Sequence, residues 1–359
     1  MKILALVLLF LGSPAWATVY YVDGAVGGDG NAGTSEGAGN AWATIDNAMN
    51  SVAAGDTVYV KASATYSEIA TMDTAGTSSA FITFIGYTST PGDGGVATID
   101  ATGVNNGIYN GAGTTPYYCF ENLLVQNADF YGWHMNSGYR CMFTNCHANS
   151  NGTNGFFAGG NSFFYGCTAT GNGADGFNVN SYCVLYGCFS DANTDAGYDG
   201  SGTSVTYKFC IAKGNTAFGF DLSTGDSMFN CTIDGENTTN YGIDAHNAYS
   251  RGCALWNNII YDCTTGLYAP SASNHDIFGG YNLFYSNGTD ALNWDAKNQT
   301  GDVSGDPLFT DEDSDDYSLG ASSPARNAGW DYSGASAGMD IGAVQSQDSG
   351  GSGRTIIVG

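Results

Sequence analysis

The chain has few positive charges, few prolines and no apolar run long enough to cross a bilayer. Its 359 residues include nine lysines and arginines against 34 aspartates and glutamates, so the net charge is −25. A surface this acidic repels nucleic acid and anionic membranes, and we expect neither as a partner. No stretch approaches the roughly 20 apolar residues of a membrane-spanning helix. The six prolines accompany 53 glycines, 23 tyrosines and 19 phenylalanines, a composition too aromatic for a disordered chain and too glycine-rich for a helical one.

The first 17 residues are typical of a secretory signal peptide. Lys2 precedes a short apolar run from Ile3 to Leu11, and Ala15-Trp16-Ala17 supplies a cleavage pattern of small residues. We therefore expect residues 1–17 to be removed and the protein to be secreted and extracellular.

Glycine followed by a large apolar residue recurs seven times in the middle of the chain, with successive pairs 21 to 24 residues apart. The pairs are Gly132-Trp133, Gly155-Phe156, Gly176-Phe177, Gly197-Tyr198, Gly219-Phe220, Gly242-Ile243 and Gly266-Leu267. A fixed period of this length predicts a solenoid of stacked coils. Short alternating strands separated by glycine and asparagine turns predict that the coils are β-structure, with about 22 residues in each.

Cysteine and asparagine each recur once per repeat, 21 or 22 residues apart. The cysteines are Cys146, Cys167, Cys188, Cys210 and Cys231, and the asparagines are Asn151, Asn172, Asn193, Asn215 and Asn237. Free cysteine packs as a small hydrophobe, so a buried thiol stack is the simplest interpretation, although disulfides between Cys141 and Cys146 or between Cys183 and Cys188 stay open. An asparagine at the same turn of every coil is expected to take a left-handed backbone and to hydrogen-bond along the stack.

Both ends of the repeat region carry further motifs. The entry has the strand Val19–Asp23, then Trp42-Ala43-Thr44-Ile45, then a helical stretch through Met49 and Val52. The exit has Asp306-Pro307-Leu308-Phe309, Asp316-Tyr317, Ser323-Pro324-Ala325 and Asp340-Ile341-Gly342-Ala343. With these motifs the chain resembles the right-handed parallel β-helix proteins of the pectate-lyase-like superfamily. The resemblance implies an all-β, single-stranded, right-handed parallel β-helix with a short N-terminal capping helix.

Five segments follow from this interpretation. We expect a signal peptide at 1–17, an N-terminal cap with the first coils at 18–110, and regular coils at 111–300. A C-terminal coil or cap segment at 301–345 and a flexible Gly/Ser-rich tail at 346–359 complete the chain.

The residue after each glycine–apolar pair should point outward, because side chains alternate along a strand. This column reads His134, Phe157, Asn178, Asp199, Asp221, Asp244 and Tyr268. Three aspartates roughly 5 Å apart would repel one another unless a proton or a cation compensates. Asp199, Asp221 and Asp244 are therefore candidate catalytic carboxylates or ligands of calcium, the one cofactor that the sequence suggests, with His134 and Asn178 as candidate binding residues. Three solvated aspartates are the plainer alternative.

A second candidate surface is an aromatic strip. Tyr165, Tyr186 and Phe229 stand two residues before a column cysteine, and Lys208 occupies the same position between them. An exposed strip of this kind suits sugar stacking or a protein partner, whereas burial under a loop is the alternative.

Two hypotheses of function follow. The first is a structural or glycan-binding protein at the cell surface or on a phage particle, with a polysaccharide or cell-surface glycan as partner. The alternative, implied by the resemblance, is a polysaccharide lyase or glycoside hydrolase acting on an extracellular polysaccharide with or without calcium. Of the motifs in the pectin-hydrolase members, the chain has only Asn193-Thr194-Asp195, and the turn column already accounts for Asn193. Bases suited to lyase chemistry are scarce, so the first hypothesis is favoured.

Overall fold

The computed structural model describes residues 17–110, 117–135, 140–245, 252–269, 277–292, 300–330 and 338–345. Residues 1–16 of the expected signal peptide and the expected tail at 346–359 lie outside this range. The chain winds as a parallel β-solenoid of about 9 turns, with about 23 residues per turn. The predicted fold class is therefore confirmed.

Three parallel sheets run along the solenoid, and from strand Ile82–Tyr87 to strand Thr289–Leu292 each coil gives one short strand to each sheet. The strands of sheet 1 are Val19–Asp23, Thr57–Lys61, Ile82–Tyr87, Tyr118–Glu121, Met142–Thr144, Phe163–Tyr165, Val184–Tyr186, Thr206–Lys208, Ser227–Phe229, Ala254–Trp256 and Phe278–Gly280. The strands of sheet 2 are Ala97–Asp100, Leu123–Gln126, His147–Asn149, Thr168–Thr170, Phe189–Asp191, Ile211–Lys213, Thr232–Asp234, Ile259–Tyr261, Leu283–Tyr285 and Val303–Ser304. The strands of sheet 3 are Ala70–Met72, Asn106–Asn110, Tyr131–Met135, Phe156–Ala158, Phe177–Val179, Ala196–Gly200, Phe218–Asp221, Tyr241–Asp244, Thr265–Tyr268 and Thr289–Leu292.

One short α-helix, Ile45–Ser51, lies near the N-terminus, as the sequence predicted. The Thr44 hydroxyl caps it by accepting a hydrogen bond from the Asn47 amide at 3.1 Å. The Glu68 carboxylate accepts the amides of Ile45 and Asp46, both at 2.9 Å, which satisfies two more of the first-turn donors that a helix leaves open.

The core is a pair of ring stacks inside the solenoid. The apolar member of each glycine–apolar pair points inward, and Phe156 and Phe177 stack with parallel ring planes at 4.9 Å between centroids. Facing them, Phe143 and Phe164 of sheet 1 stack at 4.6 Å and meet the first stack edge-on. The glycine of each pair is required by crowding, since a Cβ at Gly176 would lie 2.8 Å from the Gly197 carbonyl oxygen of the next coil.

The turn between sheets 2 and 3 carries a buried asparagine ladder. The side-chain amide of Asn151 donates to Oδ1 of Asn172, Asn172 donates to Asn193, and Asn193 donates to Asn215, each at 2.9 Å. Each Oδ1 also accepts the backbone amide of the asparagine one coil before it. The ladder thus satisfies buried turn amides that no strand can reach.

Two details of the predicted ladder are wrong. The left-handed backbone belongs to the residue before each asparagine, as at Ser150 (φ 54°) and Ala192 (φ 54°), because the asparagine side chains point inward. Asn237 is not a member: it is exposed, and the Thr239 hydroxyl donates to the Asn215 carbonyl in its place. The longer turn Gly235–Asn240 displaces Asn237 from the column.

The cysteine column faces the interior, and all ten cysteines of the chain are free thiols. Cys146, Cys167, Cys188, Cys210 and Cys231 are fully buried in the short turn between sheets 1 and 2. Burial raises the pKa of Cys146, Cys188 and Cys231 above the usual thiol value. Because the thiolate is the reactive form, these thiols are chemically inert packing groups. Asn258 continues the column, accepting the Cys231 amide at 2.9 Å.

The segment that follows Val303–Ser304, the last strand of sheet 2, folds back along the solenoid. An antiparallel hairpin of Phe309–Asp311 and Asp316–Leu319, joined by the 3₁₀-helix Glu312–Ser314, packs on the outer face of sheet 2. Tyr317, Leu319, Ala325, Ile341 and Ala343 form a second core with outward side chains of that sheet, among them Ile211, Ile259 and Phe189. The expected C-terminal coil or cap at 301–345 is thus a single strand at 303–304 followed by a segment that covers one side of the solenoid.

We predict that Asn193→Ala lowers the free energy of unfolding by about 2–4 kcal/mol, because it leaves buried donors of Asn172 unsatisfied and removes hydrogen bonds to Asn215. Urea denaturation measures the change. The control is Asn237→Gly, which keeps a left-handed backbone at an exposed position and should shift the free energy of unfolding by less than about 1 kcal/mol. Equal losses in both variants would contradict the assignment of the ladder.

Candidate functional site

The predicted outward column lies on sheet 3. Asp199 pairs in register with Asn178 on one side and with Asp221 on the other, and Asp221 pairs with Asp244. His134, Phe157 and Asn178 occupy successive coils below, and Tyr268 follows Asp244. Asp199 and Asp221 are half-buried. Asp244 is only 1% exposed, which corrects the expectation that it lies open to solvent beside the other two.

Asn178 links two carboxylates at the centre of this column. Its side-chain amide donates to Asp199 at 2.5 Å and to Asp175 at 3.0 Å. Burial, followed by the negative charges of Asp175 and Asp221, raises the pKa of Asp199 to about 8. Burial also raises the pKa of Asp175. With a pKa of about 8, the Asp199 carboxyl group would hold a proton near neutral pH and could act as an acid.

No three His, Cys, Asp or Glu side chains converge closely enough to hold a metal ion in the part of the chain that the structure describes. Asp199, Asp221 and Asp244 therefore do not form a converging calcium site here. Burial and the neighbouring carboxylates both raise the pKa of Asp199, so a proton rather than a metal ion is the expected source of compensation within the column.

His134 lies among aromatic rings rather than beside the aspartates. Its ring centroid is 4.5 Å from that of Tyr131, 5.1 Å from that of Tyr109 and 5.5 Å from that of Phe157. Burial lowers the pKa of His134, so the ring is neutral near pH 7. This end of the column is an apolar platform separate from the carboxylate group.

The predicted aromatic strip lies on the outer face of sheet 1. Tyr165, Tyr186, Lys208 and Phe229 pair in register on successive coils, and Trp256 follows Phe229. Tyr165 is 45% exposed, and the other four are half-buried. The strip therefore faces outward. We use the name aromatic strip for these five residues.

Two neighbouring rings of the strip, those of Tyr165 and Tyr186, are parallel but offset. The Tyr165 and Tyr186 rings are 5.6 Å apart between centroids with an 11° angle between planes. Ring planes in contact are separated by roughly 3.5–4.0 Å, so the remaining distance is a sideways shift that leaves part of each ring face uncovered. The Lys208 ammonium lies 5.5 Å from the centroid of the Phe229 ring, within the range of a cation–π contact.

The outer face of sheet 1 carries no carboxylate from strand Met142–Thr144 to strand Phe278–Gly280. The first and third residues of each of these three-residue strands point outward, and Lys208 is the one charged residue among them. In a chain with 34 acids this contrasts with sheet 3, where Asp175, Asp199 and Asp221 cluster. The two outer faces thus differ in charge and suit different ligands.

Sequence reasoning missed two tryptophans of this surface. Trp256 follows Phe229 by 27 residues, because a longer connection between sheets 3 and 1 interrupts the regular period. Trp330 comes from the C-terminal segment, and its ring lies 5.0 Å from that of Trp256. Large apolar residues are the one signal in the sequence that could have pointed to these two positions. The linear sequence does not show that Trp330 lies beside sheet 1.

Solved structures share this fold. Pectate lyase Pel9A superposes with a TM-score of 0.60 over 92% of this chain and 96% of that chain, at 19% identity. The GH136 lacto-N-biosidase from Eubacterium ramulus superposes with a TM-score of 0.51 over 80% of this chain and 67% of that chain, at 11% identity. No family model and no curated protein sequence matches the chain. The chain therefore shares the parallel β-solenoid fold of these two structures.

A separate finding concerns membranes. Among the described residues, no helix combines the length and the apolar character needed to cross a bilayer.

We predict that Asp199→Asn stabilises the protein increasingly as the pH rises. A carboxyl whose pKa is about 8 in the folded protein and about 3.9 in the unfolded chain opposes folding above the unfolded value, and this penalty is complete once the pH passes about 8. The asparagine side chain does not ionise and therefore removes the penalty. The gain in the free energy of unfolding, measured by urea denaturation, should be larger at pH 9 than at pH 5. A gain from Asp199→Asn that is independent of pH would refute the raised pKa.

Proposed function

We propose that the protein binds polysaccharide through the aromatic strip on sheet 1. The observation that carries the proposal is an outward row of aromatic residues in register, on seven successive strands of sheet 1 whose outward residues include no carboxylate, in a protein with a net charge of −25. Tyrosine and tryptophan combine a flat apolar surface with a polar edge, which suits the C–H faces and hydroxyl groups of a sugar ring. The structural neighbours named above act on glycans by their descriptions, which supports a polysaccharide-related role.

The rigidity of the solenoid favours this use of the strip. Each ring stands on a strand that is hydrogen-bonded to strands on both sides, and its spacing from the next ring is fixed by the coil repeat. Preorganised rings lose little conformational entropy when a ligand binds. A linear polymer that runs parallel to the solenoid axis would contact several rings at once.

The charge of the face selects the class of ligand. The sheet 1 strands from Met142–Thr144 to Phe278–Gly280 have no outward carboxylate, and Lys208 lies at their centre. This part of the face therefore accepts neutral or uronate-bearing chains without local repulsion. Bridging metal ions are then unnecessary for binding to this face. The expected signal peptide supports an extracellular site for this binding.

We predict that Tyr186→Ala weakens polysaccharide binding by about tenfold, since one aromatic contact contributes about 1–1.5 kcal/mol. Affinity electrophoresis in gels containing polygalacturonate, alginate, xylan or hydroxyethyl-cellulose measures the effect. The matched control is Tyr285→Ala, because Tyr285 is 37% exposed on sheet 2. Binding lost equally in both variants, or no binding to any of the four polymers, would refute the proposal and leave a structural role.

A second candidate function is glycoside hydrolysis at the Asp199 column. The feature that favours it is the burial of Asp199 beside Asp221 on the next coil, which raises the pKa of Asp199 to about 8. A protonated carboxyl and an ionised one are the pair that glycosidases use to protonate the leaving group and to act as nucleophile or base. Lyase chemistry has less support, because Lys208 lies on another sheet and Lys213 is bonded to Asp315.

The hydrolase candidate is tested with the same four polymers. If Asp199 is the acid, the wild-type protein should release reducing ends, and Asp199→Asn should lower the rate by at least about a hundredfold. Tyr186→Ala should keep the hydrolysis of short oligomers that do not reach the strip. No reducing ends from the wild-type protein would exclude hydrolysis of these polymers.

A further inference from the structure

We propose that the C-terminal segment completes the aromatic strip and that Trp330 is a ligand-binding residue of it. The inference rests on the proposed polysaccharide binding and names a binding residue that lies outside the repeats. It assigns a second role to a segment whose evident role is to cover the outer face of sheet 2.

Trp330 extends the strip beyond its last coil residue. Its ring centroid lies 5.0 Å from that of Trp256, with a 39° angle between the planes. Trp330 is 41% exposed, close to the 45% of Tyr165 at the opposite end. Because the two indoles are tilted rather than parallel, Trp330 does not simply cover Trp256, and the pair presents two adjacent apolar surfaces at one end of the row.

The backbone of Trp330 is clamped by Asn257, the residue that follows Trp256. The Trp330 amide donates to Oδ1 of Asn257 at 2.8 Å, and the Asn257 side-chain amide donates to the Trp330 carbonyl at 3.0 Å. Asn257 is fully buried, so this two-bond contact is shielded from water. The strip and the C-terminal segment are therefore joined at the position where their tryptophans meet.

Further contacts fix the segment next to this clamp. The Gly342 amide donates to the Asn257 carbonyl at 2.8 Å, and the Asn230 side-chain amide donates to the Asp340 carbonyl at 2.9 Å. Gly329, which precedes Trp330, donates to the Met339 carbonyl at 2.7 Å. These hydrogen bonds hold the backbone that carries the Trp330 ring, so the position of this side chain is preorganised in the way that a binding residue requires.

The hairpin, which precedes Trp330 in the chain, anchors the same segment to the solenoid. The Tyr317 hydroxyl donates to the buried carboxylate of Asp234 at 2.8 Å, and the Lys213 ammonium contacts Asp315 at 2.6 Å. These contacts lie on sheet 2, away from the strip. The folded-back segment would be held to sheet 2 without any ring at position 330, so cohesion of the fold does not explain an exposed tryptophan there.

The test combines footprinting of the wild-type protein with two variants. Hydroxyl-radical oxidation followed by mass spectrometry is run with and without whichever of the four polysaccharides binds in the gels. We expect Trp330 and Tyr165 to be protected together, by at least about threefold, while Tyr285 on sheet 2 is oxidised at an unchanged rate. Because this experiment uses the unaltered chain, misfolding of a variant cannot affect it.

The variants separate a binding role from a structural one. Trp330→Ala should weaken the affinity by at least about fivefold, and Trp330→Phe, which keeps an aromatic ring, should recover most of it. Protection of Tyr165 without protection of Trp330, or full affinity in Trp330→Ala, would overturn this inference and leave the strip intact as the binding site. If Tyr186→Ala has no effect or no polymer binds, the proposed function fails and this inference fails with it.

Discussion

The vertical register of the coils is the constraint on which the rest of the structure depends. Every coil must place its strands opposite those of its neighbours, since the backbone hydrogen bonds between coils are the ones that satisfy each strand. Between sheets 2 and 3, where a turn interrupts the strands, the ladder from Asn151 to Asn215 continues the same bonding through side chains. Backbone bonding and the ladder therefore enforce one alignment of the coils.

The same register that builds the core also arranges the surface. When Phe156 stacks on Phe177 inside, the residues after them must align outside, so functional side chains appear as columns. On sheet 3 the column collects carboxylates and shifts the pKa of Asp199 upward. On sheet 1 it collects aromatic rings on strands whose outward residues include no acid from Met142–Thr144 to Phe278–Gly280. The segregation of charge between faces gives a strongly acidic protein one surface on which a neutral or anionic polymer can lie.

Periodicity made much of this predictable from the sequence. The thiol column, most of the asparagine ladder, the aspartate column and the first four residues of the strip all follow from residues 21 to 23 apart, because vertical neighbours in a solenoid share that spacing. The errors occur where the period changes or where the chain leaves the repeat. A longer turn excludes Asn237 from the ladder, and a 27-residue interval concealed Trp256. Trp330 reaches sheet 1 only because the chain folds back, and a repeat pattern carries no information about that contact.

The register itself can be measured by cross-linking. Asn149 and Thr170 are partners on adjacent coils of sheet 2, so cysteines at both positions should form a disulfide under mild oxidation, as mass spectrometry would show. Cysteines at Asn149 and Thr168 are two residues out of register and should not cross-link, because the added separation along the strand exceeds what a disulfide spans. The account predicts a bond in the first pair alone. A bond in the second pair, or in neither, would contradict the in-register stacking from which the core, the ladder and both outer faces are derived.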